Sequence, residues 1–308
     1  MKAQINRREV IQLIGCASAA SLIMPSLLAF KTDGIMKRII PSSGEKLPVV
    51  GLGTWQTFDV GDNENHRKLL EEVLLRMREL GGAMIDSSPM YGSSERVVGD
   101  LCKKLNVSED FFYATKVWTS GKQAGIDQME ISMKKMKREV MDLMQIHNLV
   151  DWETHSKTLK AWKESGKIRY WGLTHYTNAS HEILEQLINN EKPDFVQFNY
   201  SINERHAEER LLDTAKDHGV AVIINRPYDG GNLFRKIRGK ELPNWASEID
   251  INSWGQYFLK YILGHKAVNC VIPGTSKARH VIDNMGAGYG RLPDPSERQK
   301  MLKYLQGL

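Results

Sequence analysis

The chain has 308 residues, enough for two ordinary domains or for one large α/β barrel. Its 42 basic and 37 acidic residues leave a net charge of +5, and no basic stripe interleaved with aromatics is present, so composition gives no case for a nucleic-acid partner. The 3 cysteines, Cys16, Cys102 and Cys270, make no CxxC pair and stand at no metal-ligand spacing from a histidine, which argues against a disulfide framework and against a metal site.

The first segment differs from the rest. Asn6-Arg7-Arg8-Glu9-Val10-Ile11 sets paired arginines before an apolar stretch over residues 11–30, broken by Ser18, Ser21 and Pro25. It resembles a twin-arginine export signal over residues 1–30, which implies a cytoplasmic precursor, the twin-arginine export machinery as a partner and a periplasmic destination. A membrane anchor is the competing reading, but the Ala, Ser and Gly content and the proline argue against a stable membrane span. Leu13-Ile14-Gly15-Cys16 has the form of a lipoprotein cleavage box, yet it lies too close to the arginines to leave an apolar region before it. Cleavage is expected near Ala29. Without residues 1–30 the chain keeps 39 basic and 36 acidic residues, a net +3.

Next, Arg38-Ile39-Ile40 and Leu47-Pro48-Val49-Val50 flank the turn-rich Pro41-Ser42-Ser43-Gly44-Glu45, a β-hairpin pattern. Short apolar runs then recur at residues 50–53, 83–85, 112–114, 143–146, 170–173, 195–198, 220–224 and 268–272, which makes eight strand candidates. Amphipathic stretches separate them. Leu69, Leu70, Val73, Leu74, Met77 and Leu80 keep helical spacing, as do Ile183, Leu184, Leu187 and Ile188, and helix stops recur at Gly81-Gly82, Gly166 and Gly219. Strand followed by helix eight times, without a composition break, predicts one (β/α)8 TIM barrel, with the N-terminal hairpin and a C-terminal helix as additions. Residues 229–251 exceed an ordinary loop and read equally as a lid or as a packed surface insertion. The final helix has Pro295 near its start and Ser296 as its expected cap.

In such a barrel the working residues stand at the C-terminal ends of the strands. Asp86, Lys116 and His147 each occupy such a position, and Tyr91 follows Asp86 by five residues. A phenol is a poor acid at neutral pH unless its anion is stabilised, which an adjacent ammonium does, and a carboxylate keeps that ammonium charged. His147 is then expected to orient a substrate oxygen. Singly, these residues read as a turn cap, a loop aromatic, a strand-end charge and a core-edge histidine. Together, at one rim, they suit carbonyl reduction.

The chain resembles the aldo-keto reductase family over residues 36–308, on the ordered runs Gly51-Leu52-Gly53-Thr54-Trp55, Ile85-Asp86-Ser87-Ser88-Pro89-Met90-Tyr91-Gly92, Thr115-Lys116, Ile146-His147-Asn148, Gly172-Leu173-Thr174, Val196-Gln197-Phe198-Asn199 and Ile272-Pro273-Gly274-Thr275. The resemblance implies a single barrel domain that uses NADPH or NADH to reduce an aldehyde or ketone. Tyr91 is the implied general acid, with Asp86, Lys116 and His147 completing a catalytic tetrad. Gly53, Thr54, Trp55 and Asp86 are implied to line the cofactor, and the nicotinamide-amide contacts fall on Thr174, His175 and Gln197.

Three places depart from the family pattern; at the first, Thr174 and His175 stand where a serine and an asparagine more often precede the glutamine. The aromatic that usually stacks on nicotinamide after the seventh strand is replaced by Asn225-Arg226-Pro227, leaving Tyr228, Arg226 or no stacking partner at all as the alternatives. At the adenosine end, implied to follow Gly274, Thr275, Ser276, His280, Asp283 and Asn284, the usual lysine and arginine positions hold Gly274 and His280. Lys277 and Arg279 are the nearest substitutes and favour NADPH over NADH. Trp55 and Trp118 are the expected apolar walls for a small carbonyl substrate.

Other signals carry no function. Gly51-Leu52-Gly53 lacks the third glycine of a dinucleotide fingerprint, and His181-Glu182 is followed at the fourth position by Glu185, so no zinc helix forms. Met129, Met133 and Met136 read as core, and Lys134-Lys135-Met136-Lys137-Arg138 as a solvated helix face. A reading of another class is a nucleotide-binding barrel that acts as a redox or ligand sensor with little turnover.

Overall fold

The computed structural model describes residues 34–308; the expected export signal, with Cys16, lies outside the described residues. The chain first forms the hairpin β1 (Lys37–Ile39) and β2 (Lys46–Pro48), paired antiparallel with Arg38 opposite Leu47. Eight parallel strands follow, each beside its predecessor: β3 (Leu52–Gly53), β4 (Met84–Asp86), β5 (Phe112–Val117), β6 (Met141–His147), β7 (Ile168–Thr174), β8 (Phe195–Asn199), β9 (Ala221–Asn225) and β10 (Val268–Val271). The two ends of this sheet meet. Val50 bridges Val271 and Gly53 bridges Gly274, and Gly51 N donates to Val271 O at 2.8 Å. A Cβ on Gly53 would stand 2.8 Å from Ile272 O, so only glycine permits this approach. The result is the (β/α)8 barrel that the alternating pattern predicts.

The connecting helices are α1 (Glu64–Glu79), α2 (Ser94–Lys104), α3 (Lys122–Met136), α4 (Trp152–Glu164), α5 (His181–Glu191) and α6 (Leu211–Asp217). After β9 come the short α7 (Asn232–Lys236) and then α8 (Trp254–Leu263), and α9 (Ala278–Gly286) follows β10. Their apolar stripes cover the outside of the barrel. On α1, Leu70, Val73, Leu74 and Met77 are fully buried at 0% exposure, each contributing about 1.5–3 kcal/mol by transfer from water. They join the outward-facing strand residues Ile85, Tyr113, Ile146, Val196 and Ile224 in one cluster.

The inward-facing residues form a second cluster. Met84, Phe112, Leu143, Tyr170, Phe195, Ile223 and Cys270 fill the lower barrel, and Ile40 and Leu47 from the hairpin pack into them from below. Because successive strand side chains alternate, the next inward position toward each C-terminal end is fixed once this core is set. There the side chains become polar.

Two additions bear on the sequence reading. The last helix, α10 (Pro295–Gln306), is capped by Asp294 and not by Ser296: Glu297 N donates to Asp294 Oδ1 at 2.8 Å, and Asp294 N donates back to Glu297 Oε2 at 2.9 Å. Pro295 takes the first helical position, where its missing N–H costs nothing, so the cap is the residue before it, two positions ahead of Ser296. The insertion over residues 229–251 is a packed element: Ala246, Ile249 and Ile251 are buried. The buried Lys260 ties its end down, donating to Ile249 O at 3.1 Å and Arg291 O at 2.9 Å.

Candidate active site

The polar ends of β4, β5, β6 and β8 converge in the upper barrel. Lys116 Nζ donates to Asp86 Oδ2 and to Ser87 O, both at 2.6 Å, and the two charged residues are 1% and 2% exposed. Asp86 Oδ1 accepts from Gln197 Nε2 at 2.9 Å and from Gln145 Nε2 at 3.1 Å. Both carboxylate oxygens and the ammonium are therefore matched, which is the condition for burying an ion pair without a large net cost.

Tyr91 reaches the same place from the β4–α2 turn. Its backbone N donates to Ser88 O at 3.0 Å, and Thr54 braces the turn by donating to Asp86 O from its hydroxyl at 3.0 Å. Gly92 allows the chain to leave the turn at φ +58°, and a Cβ there would lie 2.3 Å from the Asp59 carboxylate. Lys116 Nζ stands 5.1 Å from the centre of the Tyr91 ring. His147, at the end of β6, places its ring 5.8 Å from that of Tyr91, and its Nδ1 lies 2.9 Å from Ser88 Oγ.

The electrostatics follow from burial and from these neighbours. Burial raises the Tyr91 phenol above its ordinary value; the Lys116 ammonium pulls it down only in part, and Asp86 adds to the rise. The expected net lowering by lysine is thus outweighed by desolvation in this structure. For Lys116, burial alone favours the neutral amine, but Asp86 and then Tyr91 overcome it and hold the ammonium above its usual range. Burial, helped by Lys116 and His175, pushes His147 down to about 3. Its ring is neutral at physiological pH.

A second group lies on the neighbouring strands. Thr174 Oγ1 donates to Gln197 Oε1 at 3.0 Å, and Asn225 Nδ2 donates to His175 O at 3.1 Å. Asn225 Oδ1 is buried and has no hydrogen-bond partner among the described residues. Arg226, exposed and at φ +50°, lies 5.9 Å from the ring centre of Tyr176, which stacks on His175 at 5.6 Å. Pro227 is buried behind it. Tyr228 is committed elsewhere: its hydroxyl donates to Asn284 Oδ1 at 2.6 Å and its ring packs on Phe234 and Phe258. It is not a free stacking ring.

The expected adenosine-end residues gather around the start of α9. Gly274 is exposed beside Gly53, Ser276 is half-buried, and Thr275 Oγ1 accepts from Lys277 N at 3.1 Å and lies 3.3 Å from His280 Nδ1. Asp283 turns toward α8, where its Oδ1 accepts from Gln256 Nε2 at 3.2 Å. Among the apolar walls, Trp55 is 52% and Trp118 42% exposed, and Trp118 lies 6.3 Å from the His147 ring. Among the described residues no cluster of three or more His, Cys, Asp or Glu side chains could hold a metal ion.

Sequence reasoning missed Gln145 and Ser88. Gln145 had a signal, since it lies two residues before His147 and so shares its face of β6. Ser88 had none, because a serine in a turn gives no sign of which side chain it meets.

The signature of the aldo/keto reductase family matches residues 49–297. The chain belongs to the aldo/keto reductase family. Among relatives of this aldo/keto reductase, methylglyoxal reductase YeaE of Escherichia coli is 28% identical over 262 residues, covering 81% of this chain and 89% of that protein. An NADH-specific methylglyoxal reductase of the same organism is 27% identical, covering 68% of this chain and 73% of its own. The fold matches that of an aldo/keto reductase from Klebsiella pneumoniae in complex with NADP and acetate, with a TM-score of 0.74 and 22% identity over 88% of this chain and 96% of that one.

Proposed function

We propose that this aldo/keto reductase reduces a small aldehyde or ketone to an alcohol, with Tyr91 as general acid. The observation that carries the reading is the meeting of Asp86, Lys116, Tyr91 and His147 at one mouth of the barrel, with the ion pair sealed beneath the phenol. The reaction is NAD(P)H-dependent, and the bound NADPH or NADH supplies the hydride. Tyr91 gives its proton to the carbonyl oxygen, Lys116 stabilises the phenolate left behind, and Asp86 keeps Lys116 charged and fixed. His147, neutral, donates a hydrogen bond to the same oxygen and orients it.

The residues present fit a nicotinamide. Asn225 Oδ1 is a buried acceptor with no donor among the described residues, which a carboxamide N–H would supply, and His175 and Gln197 lie beside the Asn225 amide with Thr174 bonded to Gln197. Lys277, Arg279 and His280 at the start of α9 suit a 2′-phosphate and favour NADPH over NADH. The exposed Trp55, Met90 and Trp118 give the substrate an apolar wall. The names of the two relatives make methylglyoxal the first substrate to try.

The paired arginines support export of the folded protein to the periplasm, with cofactor loaded before transit. Nucleotide extracted from heat-denatured periplasmic protein tests this, and an empty protein counts against it. For the activity, turnover is measured on a panel of small carbonyls with each reduced nucleotide. The reading requires NAD(P)H oxidation that Tyr91→Phe abolishes. Tight NADPH binding without turnover across the panel overturns it and favours a sensor.

A further inference from the structure

His147 is neutral in this site and so carries one ring proton, and which nitrogen holds it decides what the ring can do. A donor to a carbonyl oxygen needs that proton on the nitrogen facing the mouth. Nδ1 faces the other way, 2.9 Å from Ser88 Oγ, and Nε2 has no hydrogen-bond partner among the described residues.

Ser88 is fully buried, and its Oγ has two hydrogen-bond neighbours among the described residues. One is the backbone N–H of Met90, which donates to it at 3.3 Å; the other is His147 Nδ1. A backbone N–H can only donate, so the serine oxygen is already an acceptor there. The serine proton then has a single destination, His147 Nδ1. Were Nδ1 protonated instead, the serine hydrogen would be left buried without an acceptor, an arrangement native interiors avoid.

We infer that Ser88 is a positioning residue that holds His147 as its Nε2–H tautomer and aims that proton at the reacting oxygen. The chain of constraint is short: Met90 N–H into Ser88 Oγ, Ser88 O–H into Nδ1, Nε2–H into the mouth. It is built inside one turn, since Ser88 O also receives Tyr91 N at 3.0 Å. One residue thereby sets the orientation of both partners of the carbonyl oxygen, the phenol through its backbone and the imidazole through its hydroxyl.

The tautomer rests on the hydrogen bonds alone; the aim at a carbonyl rests on the proposed reductase reading. The two are separated by testing the full chain in two ways. Nitrogen-15 spectra of the imidazole in wild-type protein, with and without NADPH, are expected to show His147 protonated at Nε2 and not at Nδ1. A wild-type His147 protonated at Nδ1 overturns the inference whatever the activity, and needs no variant to fold. In turnover, Ser88→Ala is expected to lower kcat/KM about 10-fold, the worth of one hydrogen bond. Ser88→Thr, which keeps the hydroxyl, is expected to stay within about 3-fold of wild type by the same reckoning. Ser88→Asp, which accepts from Nδ1–H, is expected to move the proton to Nδ1 and cost about 100-fold or more, the scale of a lost acid-base contact. Equal activity of the Ala and wild-type proteins, each folded, also overturns it. Absence of turnover in the wild type counts against the reductase reading and leaves the spectroscopic arm to decide the tautomer.

Discussion

His147 meets Tyr91 edge-on, with ring centres 5.8 Å apart and planes at 87°. Two groups able to donate to one oxygen are thus held in contact, and burial keeps both in their uncharged forms: the phenol is raised above its ordinary value and the imidazole lowered to about 3.

The pH profile of carbonyl reduction follows from these directions. As the proposed general acid, Tyr91 would act in its protonated form, and its value lies above the ordinary 10.0, so kcat/KM is expected to stay flat through pH 9 and to fall only beyond pH 10. His147 contributes no acid limb down to about pH 4, since its value is about 3. Initial rates at constant ionic strength check both limbs, and an alkaline fall centred near pH 8 would contradict the burial argument.

Folding stability should respond to the same histidine. Its value in the folded chain lies below its ordinary 6.5, so the unfolded state binds the extra proton. The contribution is complete above pH 6.5 and is lost as pH falls toward 3. Between pH 7 and pH 5 the loss from His147 is about 2 kcal/mol, from 1.36 kcal/mol per unit. Urea unfolding at the two pH values should show it, and His147→Gln should show less of it.

Lys116→Met leaves the Asp86 carboxylate buried with two amide donors and no cation. Loss of about 3–5 kcal/mol of stability is expected, together with turnover lower by about 100-fold or more. Lys116→Met with Asp86→Leu should recover much of the stability and none of the activity. Paired denaturation and rate measurements distinguish the two roles of the pair.

Asp294→Ala removes the cap of α10 and is expected to cost about 1 kcal/mol with kcat/KM unchanged, whereas Ser296→Ala should be nearly silent. A larger cost for the serine variant would reverse the cap assignment.

Strand order, helix faces and the barrel itself were legible because they depend on local periodicity. Runs of alternating and helical spacing repeat eight times, and each element buries its own stripe. The tetrad was legible for a related reason: Asp86, Lys116 and His147 each close a strand, and strand ends in a barrel meet at one rim. The cap of α10 lies two residues before the expected Ser296, because Pro295 is compatible with the helix as its first residue and leaves Asp294 as the cap. The fate of the insertion was open because its neighbours, α8 and α10, come later in the chain.

The sequence by itself determined the barrel, the family and the four residues expected to do the chemistry, since spacing along the chain is enough to bring strand ends together. Only the tertiary structure decided that Gln145 and Gln197 share one oxygen of Asp86, that desolvation outweighs Lys116 at the Tyr91 phenol, that Tyr228 is spent on Asn284, and that Ser88 faces His147. Hydrogen bonds of this kind join residues far apart in the chain and depend on ångström distances and on exclusion of water. Neither is written in any local pattern.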